Sequence, residues 1–164
     1  TTGTYGGINR ATWTFWRSQL KNSANTTTLG ADMNTLWASL VRGMERPDLI
    51  IMDSVVWQAY VAILQAQQRF ASADSAGMGF PSLKFMDADV VLDGGIGGYC
   101  PTGTAFFLNT KYIQYRPHAQ RNFVPLSPNK RYSINQDAEV QILAWAGNLT
   151  TSGAQFQGRL DVNA

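Results

Sequence analysis

The chain has 164 residues, enough for one domain, or one and a part, around a real core. Its 45% hydrophobic and 12% aromatic residues exclude the charge-rich, aromatic-poor composition of a disordered segment. A net charge of +2, with no run of Lys or Arg longer than two, argues against nucleic-acid binding by clustered phosphate neutralisation.

The N-terminus, Thr1-Thr2-Gly3-Thr4, has neither the basic nor the apolar region of a signal peptide, and the lack of an initiating Met suggests a processed chain or a fragment. Residues 5–20 are Gly-rich and then dense in aromatics, and Trp13-Thr14-Phe15 alternates like a strand. The polar run 21–30 reads as a loop. Met33, Leu36, Trp37, Leu40, Val41 and Met44 recur at the spacing of one helical face, so a helix is predicted over 32–45. Asp32 or Thr28 would cap it and Pro47 would end it. Within that helix Gly43 costs roughly 1 kcal/mol relative to Ala, which calls for close packing.

Leu49-Ile50-Ile51-Met52 reads as a buried strand, and Asp53 or Ser54 starts a second helix running to about Arg69. Its apolar residues cover more than one face, so it is expected to be well buried in a compact αβα unit. Short strands are predicted at 83–85 and 90–92, then a turn-rich loop over 93–104. Further strands are predicted at 105–108, 112–115, 139–146 and 156–162. Helices early and strands late give an α+β class rather than a doubly wound α/β sheet. The apolar stretches are interrupted every few residues by polar ones, so no membrane span is expected.

The inventory for catalysis is thin. Cys100 is the only cysteine, so neither an intrachain disulfide nor a thiolate metal cluster is available. An activated thiolate needs a helix N-terminus or a cationic neighbour, and Pro101 follows Cys100 with no basic residue within ten positions; a passive, partly buried thiol is expected. His118 is the only histidine, and its polar setting in Arg116-Pro117-His118-Ala119 reads as a solvated or interface loop. Asp87, Asp89 and Asp93 lack the central Gly and terminal Glu of a calcium loop, so no metal site is assigned. Gly94-Gly95-Ile96-Gly97-Gly98 lacks the Gly-Lys-Ser/Thr ending and following helix of a phosphate cradle and reads as a mobile contact loop, so no cofactor is assigned. Asn25-Thr26-Thr27 and Asn148-Leu149-Thr150 match a glycosylation pattern that carries no weight without a secretory signal.

Three collinear stretches carry a family resemblance: Tyr5-Gly6-Gly7-Ile8-Asn9-Arg10 with Phe15-Trp16-Arg17; Pro47-Asp48-Leu49-Ile50-Ile51 with the helix through Tyr60 to Gln68-Arg69-Phe70; and Asn135-Gln136-Asp137-Ala138 leading to Ala146-Gly147-Asn148-Leu149-Thr150 and Gln157-Gly158. Gly79-Phe80, Leu83-Lys84-Phe85 and Phe107-Leu108-Asn109-Thr110-Lys111-Tyr112 keep the same order between them. Together they resemble the C-terminal half of tailed-phage major capsid proteins with the Hong Kong 97-type fold.

The resemblance implies a spine helix, an axial-domain αβ unit and mixed or antiparallel sheets. It divides the chain into 1–46, a peripheral part with the spine helix, 47–118, the axial domain, and 119–164, returning peripheral strands. It implies a structural subunit and no enzyme, self-assembling as pentamers and hexamers of an icosahedral shell. Scaffold and portal proteins would be its partners and DNA would be enclosed without sequence-specific contact. The location would be the virion, after assembly in the host bacterial cytoplasm. The locking N-terminal arm and extended loop of the family have no counterpart in the residues before the helix. Aromatics and arginine favour interfaces, so Trp13, Phe15, Trp16 and Arg17 are candidate subunit contacts, with a core role the alternative. Arg116, Arg121, Lys130 and Arg131 are candidates to face the genome or an acidic neighbour, with a solvated face the simpler reading of each. Two rival readings are a shell protein of a bacterial encapsulating compartment and a small cytosolic hydrolase using Cys100 or His118.

Overall fold

The structure, a computed structural model, describes residues 3–67, 83–93, 98–127, 131–132 and 134–162. Contacts divide it into two compact units, a body of Thr1–Tyr112 with Gly153–Ala164 and a second unit, Ile113–Ser152.

The body begins with a small antiparallel pair, β1 (Thr4–Tyr5) and β2 (Ile8–Asn9), joined through Gly6-Gly7. The strand expected at 13–15 is instead a 3-10 turn, Thr14–Trp16, closed by Arg17 N–H donating to the Thr14 carbonyl at 3.2 Å. The polar run expected as a loop contains β3 (Gln19–Ser23), which lies parallel to β12 (Gly158–Val162). That partner is more than 130 residues away in sequence, so local composition carries no sign of the pairing. A 3-10 turn, Thr26–Thr28, follows, and the Asn25 carboxamide oxygen accepts from the Thr27 and Thr28 N–H groups at 3.1 and 3.2 Å.

Helix α1 (Leu29–Leu40) buries Leu29, Met33, Leu36, Trp37 and Leu40 along one face, as the periodicity predicts. It starts earlier and ends sooner than the expected 32–45. Val41 takes an extended backbone, and Gly43 sits at φ +63° in a turn closed by Arg42 N–H to the Glu45 carbonyl at 2.9 Å. Glycine is needed there for its left-handed backbone and not for close packing in a helix. Met44, assigned to the apolar stripe, is therefore 97% exposed at the turn tip.

Strand β4 (Leu49–Met52) leads through Asp53 into α2 (Ser54–Gln67), and the Asp53 carboxylate accepts from the Val55 N–H at 3.2 Å. The last expected residues of this helix, 68–69, lie outside the described residues. Then come β5 (Leu83–Phe85), β6 (Ala88–Leu92) and β7 (Thr104–Leu108), close to their predicted positions. With β3 and β12 they form one six-stranded mixed sheet in the order β3-β12-β7-β4-β6-β5. Pairs Ile50 and Met52, Ala88 and Val90, Ala105 and Phe107, and Leu160 and Val162 are buried at period two, and register places Ile50 between Val90 and Phe107. They share one core with the buried faces of α1 and α2. The class is α+β, as expected.

The second unit is a ribbon. Strand β8 (Ile113–Pro125) runs antiparallel to β11 (Leu143–Thr151), and between them β9 (Arg131–Tyr132) pairs with β10 (Glu139–Val140). Strand β8 is far longer than the predicted 112–115 and takes in the Arg116–Ala119 stretch expected as a loop. Pro117 is tolerated because each strand of a two-stranded ribbon is an edge, where a missing N–H leaves no ladder broken beyond it.

Candidate functional site

The residues singled out for chemistry have structural partners of their own. The Cys100 thiol donates to the Thr104 carbonyl at 3.4 Å, and burial together with the Asp53 and Asp93 carboxylates pushes its pKa up. That is the opposite of activation. His118 is exposed on β8, where its Nδ1 accepts from the Gln120 N–H at 3.2 Å. Cys100 and His118 thus each bond to backbone rather than to each other. Asp87 pairs with Arg46 at 2.7 Å, Asp89 with Lys84 at 3.4 Å, and Asp93 accepts from the Cys100 N–H at 2.9 Å. The three carboxylates do separate jobs, and among the described residues no three His, Cys, Asp or Glu side chains stand where they could hold a metal ion. Residues 94–97 of the glycine run lie outside the described residues. Among the described residues no helix is long and apolar enough to cross a membrane.

The four candidate contact residues divide in two. Trp13 and Phe15 are 54% and 59% exposed and meet edge to face, with ring centroids 6.0 Å apart. Trp16 and Arg17 are half-buried. Arg17 turns back on its own loop, donating from Nε to the Arg10 carbonyl at 2.6 Å and from Nη2 to the Ala11 carbonyl at 2.8 Å. Arginine here braces the loop that presents the two exposed rings.

A second surface went unrecognised in the sequence. Register in the ribbon sets Tyr115 opposite Leu149, Asn122 opposite Trp145 and Pro125 opposite Leu143. The alternating pleat therefore collects Tyr115, Leu143, Trp145 and Leu149 on one face and Gln114, Arg116, Asn148 and Thr150 on the other. Phe123 is an extra residue between Asn122 and Val124 with no partner on β11, and it sits at φ +54°, a strained backbone for an aromatic. This bulge places the Phe123 ring 6.5 Å from that of Trp145. Trp145 in turn stacks on Tyr115 with planes 7° apart, and its indole N–H donates to the Tyr115 hydroxyl at 2.6 Å. Tyr115, Phe123, Leu143, Trp145 and Leu149 are all between 47% and 68% exposed.

The basic candidates are likewise on the ribbon. Arg116 donates to the Gln114 carboxamide at 2.8 Å, Arg121 is exposed on β8, Arg131 lies in β9, and Lys130 lies outside the described residues.

Comparison with known proteins finds a likeness of fold to a chain of a phage capsid. One solved structure matched is a "Cyanophage A-1(L) capsid asymmetric unit", with a TM-score of 0.59 and 16% sequence identity. The match covers 100% of this chain and 56% of that one, so the chain spans a little over half the length of its structural neighbour. At this identity the likeness is one of fold. No protein-family model matches the chain, and no curated protein matches it.

Proposed function

We propose that the chain is a structural subunit of a phage head with the Hong Kong 97-type fold, assembling through symmetric contacts into a closed shell around DNA. The observation that carries this reading is that the likeness of fold to a phage capsid structure extends over 100% of this chain, at a TM-score of 0.59. Two exposed apolar surfaces support it, because soluble monomers seldom leave such patches uncovered. Shells close through several weak contacts repeated by symmetry, and two separate exposed surfaces suit that use.

On this reading Trp13 and Phe15 contact a neighbouring subunit, while Trp16 and Arg17 shape the loop that presents them. The family's division into peripheral residues 1–46 and 119–164 and axial residues 47–118 is part of the same proposal. Helix α1 packs on β3 and β12, which fall with it in the peripheral part. Scaffold and portal proteins are the further partners the reading calls for.

Sedimentation with negative-stain microscopy tests it, on this chain and on a longer version carrying further N-terminal sequence. Shells, or rings of five or six, are the expected result from the longer version. Monomers of both, at every salt and protein concentration, would overturn the capsid reading.

A further inference from the structure

The ribbon has little to hold its strands in register. A two-stranded sheet without a second layer is marginal in water, and register is weakly specified where neither face is buried. Its own ladder is interrupted twice: Phe123 bulges out, and residues 118–121 of β8 face only Ala146 between the Asn122–Trp145 and Pro117–Gly147 pairs. A slip of one residue would put Tyr115 on the face opposite Trp145 and Leu149.

The body holds the two points where the chain leaves for the ribbon and returns from it. On the leaving side, Asn109 is 3% exposed. Its backbone N–H donates to the Gln157 carboxamide oxygen at 3.0 Å, and the Gln157 carboxamide N–H donates back to the Asn109 carbonyl at 3.0 Å. One side chain thus reproduces both bonds of a β-ladder pair between the outgoing and returning segments. Gln157 is itself fixed, since its carbonyl accepts from the Gln19 N–H of β3 at 3.0 Å. Next along the chain, the Tyr112 ring stacks on Phe156, with centroids 4.5 Å apart and planes 16° from parallel. Gly153 closes over this stack, where an added Cβ would lie 2.8 Å from Phe156 Cδ2 and 2.9 Å from Tyr112 Cδ1. The outgoing turn is tied from below as well: Thr110 N–H donates to Asp48 at 2.8 Å, and Lys111 pairs with Glu45. Ile113 and Thr151, the first ladder pair of the ribbon, follow directly.

We infer that the Asn109–Gln157 amide pair and the Tyr112–Phe156–Gly153 stack form a register clamp, setting the pairing of β8 with β11 from its root. The clamp does for the ribbon what a tight turn does for a hairpin, but from the open end. This inference stands on the body alone and does not depend on the capsid reading.

Engineered cross-links read register directly. In a Cys100→Ser background, Gln114→Cys with Thr150→Cys reports the observed register, because these residues are directly opposed. Gln114→Cys with Leu149→Cys, and Gln114→Cys with Asn148→Cys, report slips of one and two residues. In the parent, oxidation should give the 114–150 disulfide and little of the others. In Gln157→Ala the ratio of observed to slipped cross-links should fall roughly tenfold, the scale set by two hydrogen bonds lost at one point. Gly153→Ala should act in the same direction by forcing the stack apart. Amide exchange in β4 and β7 verifies that the body stays folded. If Gly153→Ala unfolds it, Gln157→Ala decides, since that substitution only removes a side chain from a turn. An unchanged cross-link ratio in Gln157→Ala, with β4 and β7 still protected, would overturn the clamp.

Discussion

The body and the ribbon use the same apolar side chains and differ in what lies over them. In the body, Phe107 on β7 is fully buried because α1 and α2 supply a second layer over one face of the sheet. In the ribbon, Leu143, Trp145 and Leu149 line up on one face of β11 just as regularly, yet every residue of β8 except Ile113 is exposed. An apolar stripe states that a face wants covering; only the presence of another element decides whether it becomes core. Within the ribbon, cross-strand pairs and ring stacking are worth roughly 0.2–1.5 kcal/mol each.

The largest expected effect is therefore in the body. Phe107→Ala should cost about 3–5 kcal/mol in chemical denaturation followed by circular dichroism, because the site is closed on all sides and leaves a cavity. Phe123→Ala should change the same transition by less than about 0.5 kcal/mol. A comparable loss from Phe123→Ala would break the comparison, since it would mean that the ribbon's aromatic face contributes to the cooperative fold of the body. Next comes Gly158→Ala, at about 2–3 kcal/mol. An added Cβ there would lie 2.6 Å from Leu40 Cδ1 and 3.3 Å from Leu36 Cδ1, so these two buried side chains must repack to admit it.

Legibility in the sequence followed the same divide. The helical stripe Met33, Leu36, Trp37 and Leu40, the strand 49–52 and the α+β class could be read locally, because burial imposed its period on contiguous residues. Strand β3 could not, since Gln19–Ser23 is a polar edge whose strand state comes from β12. The end of α1 is not legible because Val41 and Met44 fit the helical spacing, and Gly43, which serves the turn beyond the helix, reads as a packing glycine. The aromatics at 13–17 were found as candidates, but that Arg17 faces inward and Trp13 and Phe15 outward depends on a 3-10 turn that composition does not announce. On the ribbon, Leu143, Trp145 and Leu149 alternate cleanly in β11, whereas the bulges in β8 scramble the partner strand's period.

Acid should sharpen the contrast from the electrostatic side. Asp53 is 7% exposed; burial alone would raise its pKa, but hydrogen bonds from the Gly103, Val55 and Ser54 N–H groups outweigh it and hold the carboxyl below its usual value. Asp32 is also lowered, first by the Ser23 hydroxyl at 2.6 Å and, against some burial, by Thr28 and Lys21. A carboxyl with a depressed folded pKa contributes stability that is fully present above its unfolded value, about 4, and is lost as pH falls through the folded one. The body should thus lose stability progressively below about pH 4. Asp53→Asn should cost about 1–2 kcal/mol at neutral pH and flatten that acid dependence, measured as denaturation midpoints across pH. An acid profile unchanged in Asp53→Asn would mean that other carboxylates carry the linkage.

The smallest effect is the one most confined to the ribbon. Tyr115→Phe keeps the ring that stacks on Trp145 and removes only the hydroxyl that accepts its indole N–H. Both residues are about half exposed, so water replaces the lost partner and the cost should be no more than about 0.5 kcal/mol. No denaturation curve of the body should register it. The indole proton of Trp145 should, exchanging several-fold faster by NMR while the amides of β7 and β12 keep their protection. If Tyr115→Phe instead loosens the β7 and β12 amides, the hydroxyl is coupled to the body, and the two units share their stability after all.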